Sequence, residues 1–504
     1  MSAQLDRTSS AAVFGVVFLV YLFTASLHGP VNGDTYAAAV PAWRIATAQT
    51  VLLGDTYLPL HVPFQVETPA GAVTDRQPGV VLTAVPIYWI AARLGAGEFT
   101  LAPAGLTAAL VSALSIAVLH RVFRRIASPQ VATVAALVAA FATSSWSISA
   151  DALWPHGPGQ LWLAVSLLSM AGARHARTGL SLAAAILVRP VTAVMALSVG
   201  VGAGLAQRRC GPTAVIGAAS SIGLVALLVY NRAVFGAASV SGGYAPTFVD
   251  NLWTMSATDF GLNVLGTFFS LSRGLLPYSP FLLVLGLGLR AAWKTSPGWV
   301  RSGGLAGAVY LLVQLRMNRF SGGHGFYGYR YPLEALTMAA PLLLRSWQEW
   351  VRPRRGAGAV FAALVAVSVY LQWLGAAAWF NSKPETDFWW DCGPCEAVRI
   401  GGWPVVLVGC AALAGLLLWY RVGSERSGGS SGHSRRRMGS PRCDLPGSRR
   451  SVTLALPMGD VDAVAPAVSL GSRDAAVGEQ GCRRPGLKDD GRNPSNYSER
   501  KEQR

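Results

Sequence analysis

Eight residues have the types and spacings that could do chemistry, and they sit in short polar segments between long apolar blocks. In VNGDTY, Asp34 stands at a helix-to-loop junction, where a carboxylate either caps the following AAAVPAWRIA helix or accepts a proton. ISADALWPHGPG carries Asp151 and His156, a pair that either positions a polar substrate or caps a short helix. In SLSRGLLPYSP, Arg273 either snorkels to a lipid headgroup or binds a phosphate. Residues 319–334, RFSGGHGFYGYRYPLE, are the densest segment. Gly322, Gly323, Gly325 and Gly328 allow close backbone approach, and Phe326, Tyr327, Tyr329 and Tyr331 offer stacking surfaces. His324, Arg319 and Arg330 are donors suited to a phosphate, Arg as a two-pronged fork. The alternative is a structural turn; a Walker loop is excluded because the Gly-Lys-Ser/Thr ending is missing. Arg189, in LVRPV, is a charge inside an apolar stretch. Its partner is an outer-loop carboxylate or a lipid phosphate, or else it belongs to a buried structural pair. Finally, DFWWDCGPCEAVR holds Cys392 and Cys395. A redox role would want a βαβ context that the sequence lacks, and a zinc site would want two more ligands. A local disulfide is therefore expected, with no chemistry assigned to it. No motif calls for a metal or a cofactor.

The elements that must hold these residues are set by composition. The 504 residues are 52% hydrophobic and 13% charged, with mean hydropathy +0.39, whereas a soluble domain carries about a quarter charged residues. The apolar residues come in blocks of roughly 16 to 22, each long enough to cross a hydrocarbon core of ~30 Å as a helix. A soluble enzyme, a secreted disulfide scaffold and a disordered chain are excluded. The net charge of +17 is spread through the short connections and the tail, the pattern of a positive-inside bias. A nucleic-acid binder would gather it on one soluble element, so no nucleic-acid partner is expected. Scarce lysine beside abundant arginine, alanine and glycine fits a GC-rich bacterial genome, which places the chain in a bacterial plasma membrane as a multi-pass protein.

Spans and sidedness follow together. Residues 1–10 form a cytoplasmic N-terminus, and block 11–27, lacking a cleavage pattern, is a retained span. Residues 28–100 lie outside and include Asp34, Asp55, Glu67 and Asp75. Within them, 78–94 is read as lying along the outer interface, because Arg121, Arg124 and Arg125 then fall inside after the single crossing 101–119. Further spans are expected at 130–148 and 158–173. A short helical pair over 178–206, interrupted at Arg189-Pro190, comes next. Spans at 213–230, 278–293, 302–316, 333–345, 356–375 and 402–420 complete the set. The expected fold is an all-α polytopic membrane protein with about twelve transmembrane helices and outer-face juxtamembrane helices and loops. The transmembrane domain covers 11–420, and residues 421–504 form a disordered basic cytoplasmic tail that cannot bury enough apolar surface to order itself.

In order along the chain, these segments resemble the polyprenyl-phosphate-dependent membrane glycosyltransferases of the C-type fold. The likeness is to the dolichyl-phosphate-mannose protein mannosyltransferase-like proteins of bacteria. It covers roughly residues 11–400 and rests on the early outer-loop Asp34, PGVVLTAVP, ILVRP, YNRAVFG followed by GGY, SLSRGLLPYSPFLL and GGHGFYGYRYPLE. One departure is plain: the family's first loop often shows Asp-Glu, and here Thr35 follows Asp34, with Asp55 taken as the nearest other acid.

The resemblance implies transfer of a sugar from a polyprenyl-phosphate donor to a glycan, lipid or protein acceptor at the outer face, with inversion. Asp34 would take the acceptor's proton, its pKa raised by partial burial. Arg189, Arg273 and Arg330 would hold the leaving phosphate, and Asp151 and His156 would position the sugar or the acceptor. His324 and Tyr327 complete the expected binding set. The competing classes are a transporter or lipid flippase without catalytic chemistry, which would place its ionisable groups near mid-membrane, and a scaffold for other envelope enzymes.

Overall fold

The computed structural model describes residues 2–28, 32–54, 62–244, 247–378 and 388–428. Helix α1 (Ser2–Thr24) leads to α2 (Gly33–Ala48), and an antiparallel hairpin, β1 (Gln65–Thr68) with β2 (Gly71–Thr74), follows. Then come α3 (Pro78–Arg93), α4 (Ala102–Phe123), α5 (Pro129–Phe141), a π-helical turn over Ser145–Ser149, α6 (His156–Ala171), α7 (His175–Val188), α8 (Ala193–Gln207) and α9 (Cys210–Phe235). The second half holds α10 (Thr247–Thr254), α11 (Ala257–Phe269), α12 (Leu275–Tyr278), α13 (Phe281–Thr295), α14 (Gly298–Met317), α15 (Pro332–Ser346), α16 (Arg355–Ala378) and α17 (Gly393–Gly428), the last broken at Gly402.

The chain is mostly helical, with one correction to the all-α expectation: the hairpin at 65–74 pairs Gln65 with Thr74 and Thr68 with Gly71. Its alternating QVET and GAVT, split by a turn ending in Gly71 at φ +125°, favour pairing over helix. Between the spans expected at 213–230 and 278–293, the chain also builds α10 and α11.

Among the described residues, four helical segments are long and apolar enough to cross a membrane: Ala102–Phe123, Pro190–Gln207, Cys210–Phe235 and Arg355–Ala378. Ser9–Thr24, Pro78–Arg93, Pro129–Phe141 and His175–Val188 are apolar but shorter. Exposed Leu197, Leu205, Ile222, Val225, Val229, Leu283 and Leu287 line the outward faces of α8, α9 and α13. These are the surfaces that a helix facing lipid presents. By length and composition this is a helical membrane protein.

Several boundaries have local causes. Proline fills the first turn of α3, α4, α5 and α15, where its missing N–H is not needed. Pro190 forces Arg189 out of the helical region, to φ −146° and ψ 104°, which separates α7 from α8 as the sequence implied. Small residues let helices close on one another: a Cβ at Gly79 would meet the backbone of Leu187 at 2.5 Å, so α3 lies directly on α7. The core joins Val17 and Tyr21 of α1 to Ala109, Ala113 and Ile116 of α4 and to Leu163 and Leu167 of α6. A second core gathers Tyr278, Phe281, Leu285, Tyr327, Tyr329, Leu333 and Leu374.

Helix α1 starts ahead of the apolar block at 11–27, and α17 continues beyond the block at 402–420, to Gly428. Residues 429–504 and Asp55 lie outside the described residues.

Candidate functional site

The first turn of α2 presents Asp34, but Asp34 does not cap that helix. Asn32 does, its side chain accepting from the Thr35 N–H at 3.0 Å. Asp34 is left for two arginines from distant segments. Arg76 Nη1, just before α3, donates to Oδ1, and Arg330 Nη1 donates to Oδ2 at 3.3 Å. Arg76 also donates from Nε to Asp75 Oδ1 at 2.7 Å, so one guanidinium joins two carboxylates. Aromatic rings enclose both cations. Arg76 sits 4.4 Å from the Phe64 ring centre and 4.7 Å from that of Tyr244. Arg330 sits 5.1, 4.9 and 5.2 Å from Trp154, Phe326 and Tyr331. About a fifth of the Asp34 side chain stays open (20%), against 6% for Arg76.

These surroundings reverse the expected electrostatics. Burial by itself would raise the Asp34 carboxyl, but the charges of Arg76 and Arg330, with the Arg330 hydrogen bond, outweigh it and hold the group below its ordinary value. Asp75 goes the other way. Burial, helped by the charge of Asp34, lifts it above the ordinary range against the pull of Arg76. Two acids on one guanidinium are thus shifted in opposite directions.

A second cluster lies deeper. Glu334, in the first turn of α15, has no exposed side-chain surface (0%). Arg189 Nη1 donates to its Oε1 at 2.9 Å, while Arg189 Nη2 lies 3.3 Å from Gln314 Oε1 on α14. His156 Nδ1 is 2.9 Å from the same Glu334 oxygen and 2.8 Å from Arg189 Nη1. A proton on Nδ1 would donate to Glu334, and a proton on Nε2 would leave Nδ1 to accept from Arg189. The Tyr331 ring lies between the clusters, 5.9 Å from Arg189 and 5.2 Å from Arg330. Trp154 bridges them too, its ring 6.3 Å from His156 and 5.1 Å from Arg330.

Asp34, His156, Arg189 and Arg330 are therefore brought together, while the other four expected residues are not. Asp151 is directed to the end of α1, where its Oδ1 accepts from Ser26 Oγ at 2.9 Å and its carbonyl from the Ser26 N–H. It neither pairs with His156 nor caps α6, which starts at His156 with no side-chain cap. Burial in that loop pushes its pKa up to about 7. Arg273 is buried behind Phe326, 3.8 Å from the ring centre, and donates from Nη1 to the Phe326 carbonyl at 2.5 Å. Tyr327 is not an available stacking surface. Its ring packs on Tyr278 at 5.1 Å and its hydroxyl donates to the Leu371 carbonyl at 2.8 Å, because α16 needs a large side chain over Gly375. Tyr329 is likewise core, bonded to Ser279 Oγ at 2.8 Å. His324 is exposed and lies against Phe388, 4.9 Å between ring centres with the rings tilted by 47°. Cys392 and Cys395 form the expected local disulfide.

Arg76, Asp75, Glu334 and Gln314 are the residues that sequence reasoning missed. Arg76 carried a signal: a cation in a segment assigned to the outer side runs against the positive-inside bias. Among the described residues, no group of three His, Cys, Asp or Glu side chains is placed to hold a metal ion.

No protein-family model matches this chain, and no curated protein does. Any functional reading therefore rests on the geometry itself: a carboxylate one-fifth open and fixed by two guanidiniums, a second carboxylate on one of them, and a third arginine behind an aromatic partition.

Proposed function

We propose that this protein is an integral membrane glycosyltransferase that moves a sugar from a polyprenyl-phosphate donor to an acceptor hydroxyl at the outer face of a bacterial plasma membrane, through a C-type fold of about twelve spans. The observation that carries the reading is Asp34, clamped between Arg76 and Arg330 with Trp154, Phe326 and Tyr331 around the second cation. Carboxylate, guanidinium and aromatic faces together are what an acceptor hydroxyl, a phosphate and a sugar ring require.

In this reading the donor's phosphate competes with Asp34 for Arg330. As Arg330 turns to the phosphate, Asp34 loses part of the charge that holds its carboxyl low and becomes a better proton acceptor. The acceptor oxygen forms its bond to the anomeric carbon while the carbon–oxygen bond to phosphate breaks. The phosphate keeps the electron pair, Arg330 and Arg189 stabilise the growing charge, and Asp34 takes the proton. Attack opposite the leaving group inverts the anomeric carbon. Arg273, behind Phe326, acts on the position of that ring.

The test is incubation of membranes with radiolabelled polyprenyl-phosphate sugars, comparing the natural chain with Asp34→Asn and Asp75→Asn. Loss of transfer in Asp34→Asn at normal expression supports the reading; full activity removes Asp34 from it. The deeply buried Glu334–Arg189–His156 group is the one observation that favours a transporter or flippase, since such proteins keep ionisable groups inside the bundle. Lipid flipping by purified protein in vesicles, with no sugar transfer, would select that class.

A further inference from the structure

The residues between α16 and α17 carry a group that the glycosyl-transfer reading does not use. Cys392, Gly393, Pro394 and Cys395 open α17, with Cys392 in the position of a helix cap. Its Sγ accepts from the Cys395 backbone N–H at 3.2 Å, and its carbonyl accepts from the Glu396 N–H at 3.1 Å. Cys395 is exposed. The nearest charged pair of the first turn, Glu396 with Arg399, is closed on itself, Nε to Oε2 at 2.7 Å.

Three physical points follow. A disulfide between residues three apart closes almost no chain, so it removes little entropy from the unfolded state and contributes little as a structural clip. An exposed sulfur can be reached by an incoming thiolate. A sulfur at a helix N-terminus that already accepts a backbone N–H is a good leaving group, since the negative charge it gains meets the positive end of the helix dipole.

We propose that Cys392–Cys395 is a redox-active disulfide that exchanges with a protein dithiol. One thiolate of the dithiol attacks the exposed Cys395 Sγ, the Cys392–Cys395 bond breaks, and Cys392 leaves as a thiolate at the cap position. The partner's second thiolate then attacks the mixed disulfide at the partner's own sulfur and releases Cys395. The partner ends as a disulfide; two electrons and two protons pass to Cys392 and Cys395. Among the described residues no sheet lies against the motif, so the stabilisation comes from the helix cap.

The pair also sits where its state can be felt. The strap just before it is tied to the segment carrying Arg273: Ser270 Oγ donates to the Phe388 carbonyl, and the Leu271 N–H donates to the Trp389 carbonyl at 2.9 Å. The Trp389 ring packs on Phe320 at 4.8 Å.

The experiment uses the full chain in detergent with Cys210, Cys410, Cys443 and Cys482 changed to Ser, equilibrated with mixtures of reduced and oxidised glutathione. Samples are acid-quenched and tagged with a maleimide mass label. The expected result is a graded titration that is half-reduced within the glutathione range, reached in minutes and reversed by oxidised glutathione. A pair that stays oxidised in excess reduced glutathione, or yields only after unfolding, overturns the proposal. A second variant, Cys392→Ser, should trap one glutathione on Cys395, and absence of that adduct also overturns it. If the serine background does not fold, peptide mapping of residues 392 and 395 in the natural chain gives the same readout. None of these outcomes depends on sugar transfer.

Discussion

Arg330 Nη1 donates to Asp34 Oδ2 at 3.3 Å across 296 residues of sequence, and Arg76 holds the other oxygen of the same carboxylate. The contact joins the start of α2 to the glycine-rich loop before α15. Arg330 also donates from Nη2 to the Gly322 carbonyl, so its two prongs serve the carboxylate and the loop at once.

A lysine at 330 cannot serve both. Arg330→Lys keeps the charge but loses the fork, and a hydrogen bond to a charged group contributes about 1.5–3 kcal/mol. In the proposed reaction, donor use, measured as kcat/KM with a labelled polyprenyl-phosphate sugar, should fall about ten- to hundredfold, with expression unchanged. Unchanged donor kinetics would reduce Arg330 to a turn residue.

Much of this arrangement could be read from the chain alone. The break at Arg189-Pro190, the helix ends at 317 and 346 and the bond between Cys392 and Cys395 each follow from a local rule: proline, block length or proximity. What stayed hidden were pairings set by tertiary structure. Asp34 was a candidate for its own chemistry, yet its electrostatics belong to Arg76 and Arg330, and no local pattern shows that two cations will outweigh burial. Glu334 could have been found. The rule that singled out Arg189, a charge in an apolar stretch seeking an anion, applies equally to the one acid in the first turn of α15. Tyr327 shows the opposite error, since it was expected as a stacking surface while its ring is committed to the core against Tyr278.

The Glu334–Arg189 pair should be cooperative. Glu334→Ala leaves a guanidinium buried without its carboxylate, and breaking one side of a buried pair costs about 3–5 kcal/mol. Arg189→Met alone strands Glu334 in the same way. The double variant should be less destabilised than the sum of the two, with a coupling of at least ~1 kcal/mol. Thermal unfolding in detergent measures it, and strict additivity would mean that the pair does not interact in solution.

Asp151 should make stability fall as pH rises. Its carboxyl titrates near 7 in the fold and near ~3.9 when unfolded, so the unfolded chain gives up its proton first. Stability from this group is full below pH ~4, declines as pH rises towards 7, and is flat above it. Asp34, with its carboxyl held low, contributes with the opposite sign: its stabilisation is present above pH ~3.9 and is lost only in stronger acid. Replacing Asp151 should therefore remove a falling contribution, so that melting temperature between pH 5 and 8 declines less, or rises more, in Asp151→Asn than in the natural chain. An equal slope in both would place the effect elsewhere.

The glycine-rich loop separates strain from crowding at neighbouring positions. Gly322 and Gly323 have φ of +69° and +92°, a region that costs an L-residue about 1–2 kcal/mol, so alanine at either should lower stability by about that amount. Only at 322 does the new Cβ also meet the arginine, 2.7 Å from Arg330 Nε; at 323 the nearest atom, Arg330 Nη2, is 4.0 Å away. Gly322→Ala should therefore displace Arg330 from Asp34 and cut donor use beyond what lost stability explains. Gly323→Ala should lose stability alone. Activity per folded molecule, with thermal unfolding of both variants, decides it. If the two lose activity equally, strain in the loop rather than the placement of Arg330 is what the site depends on.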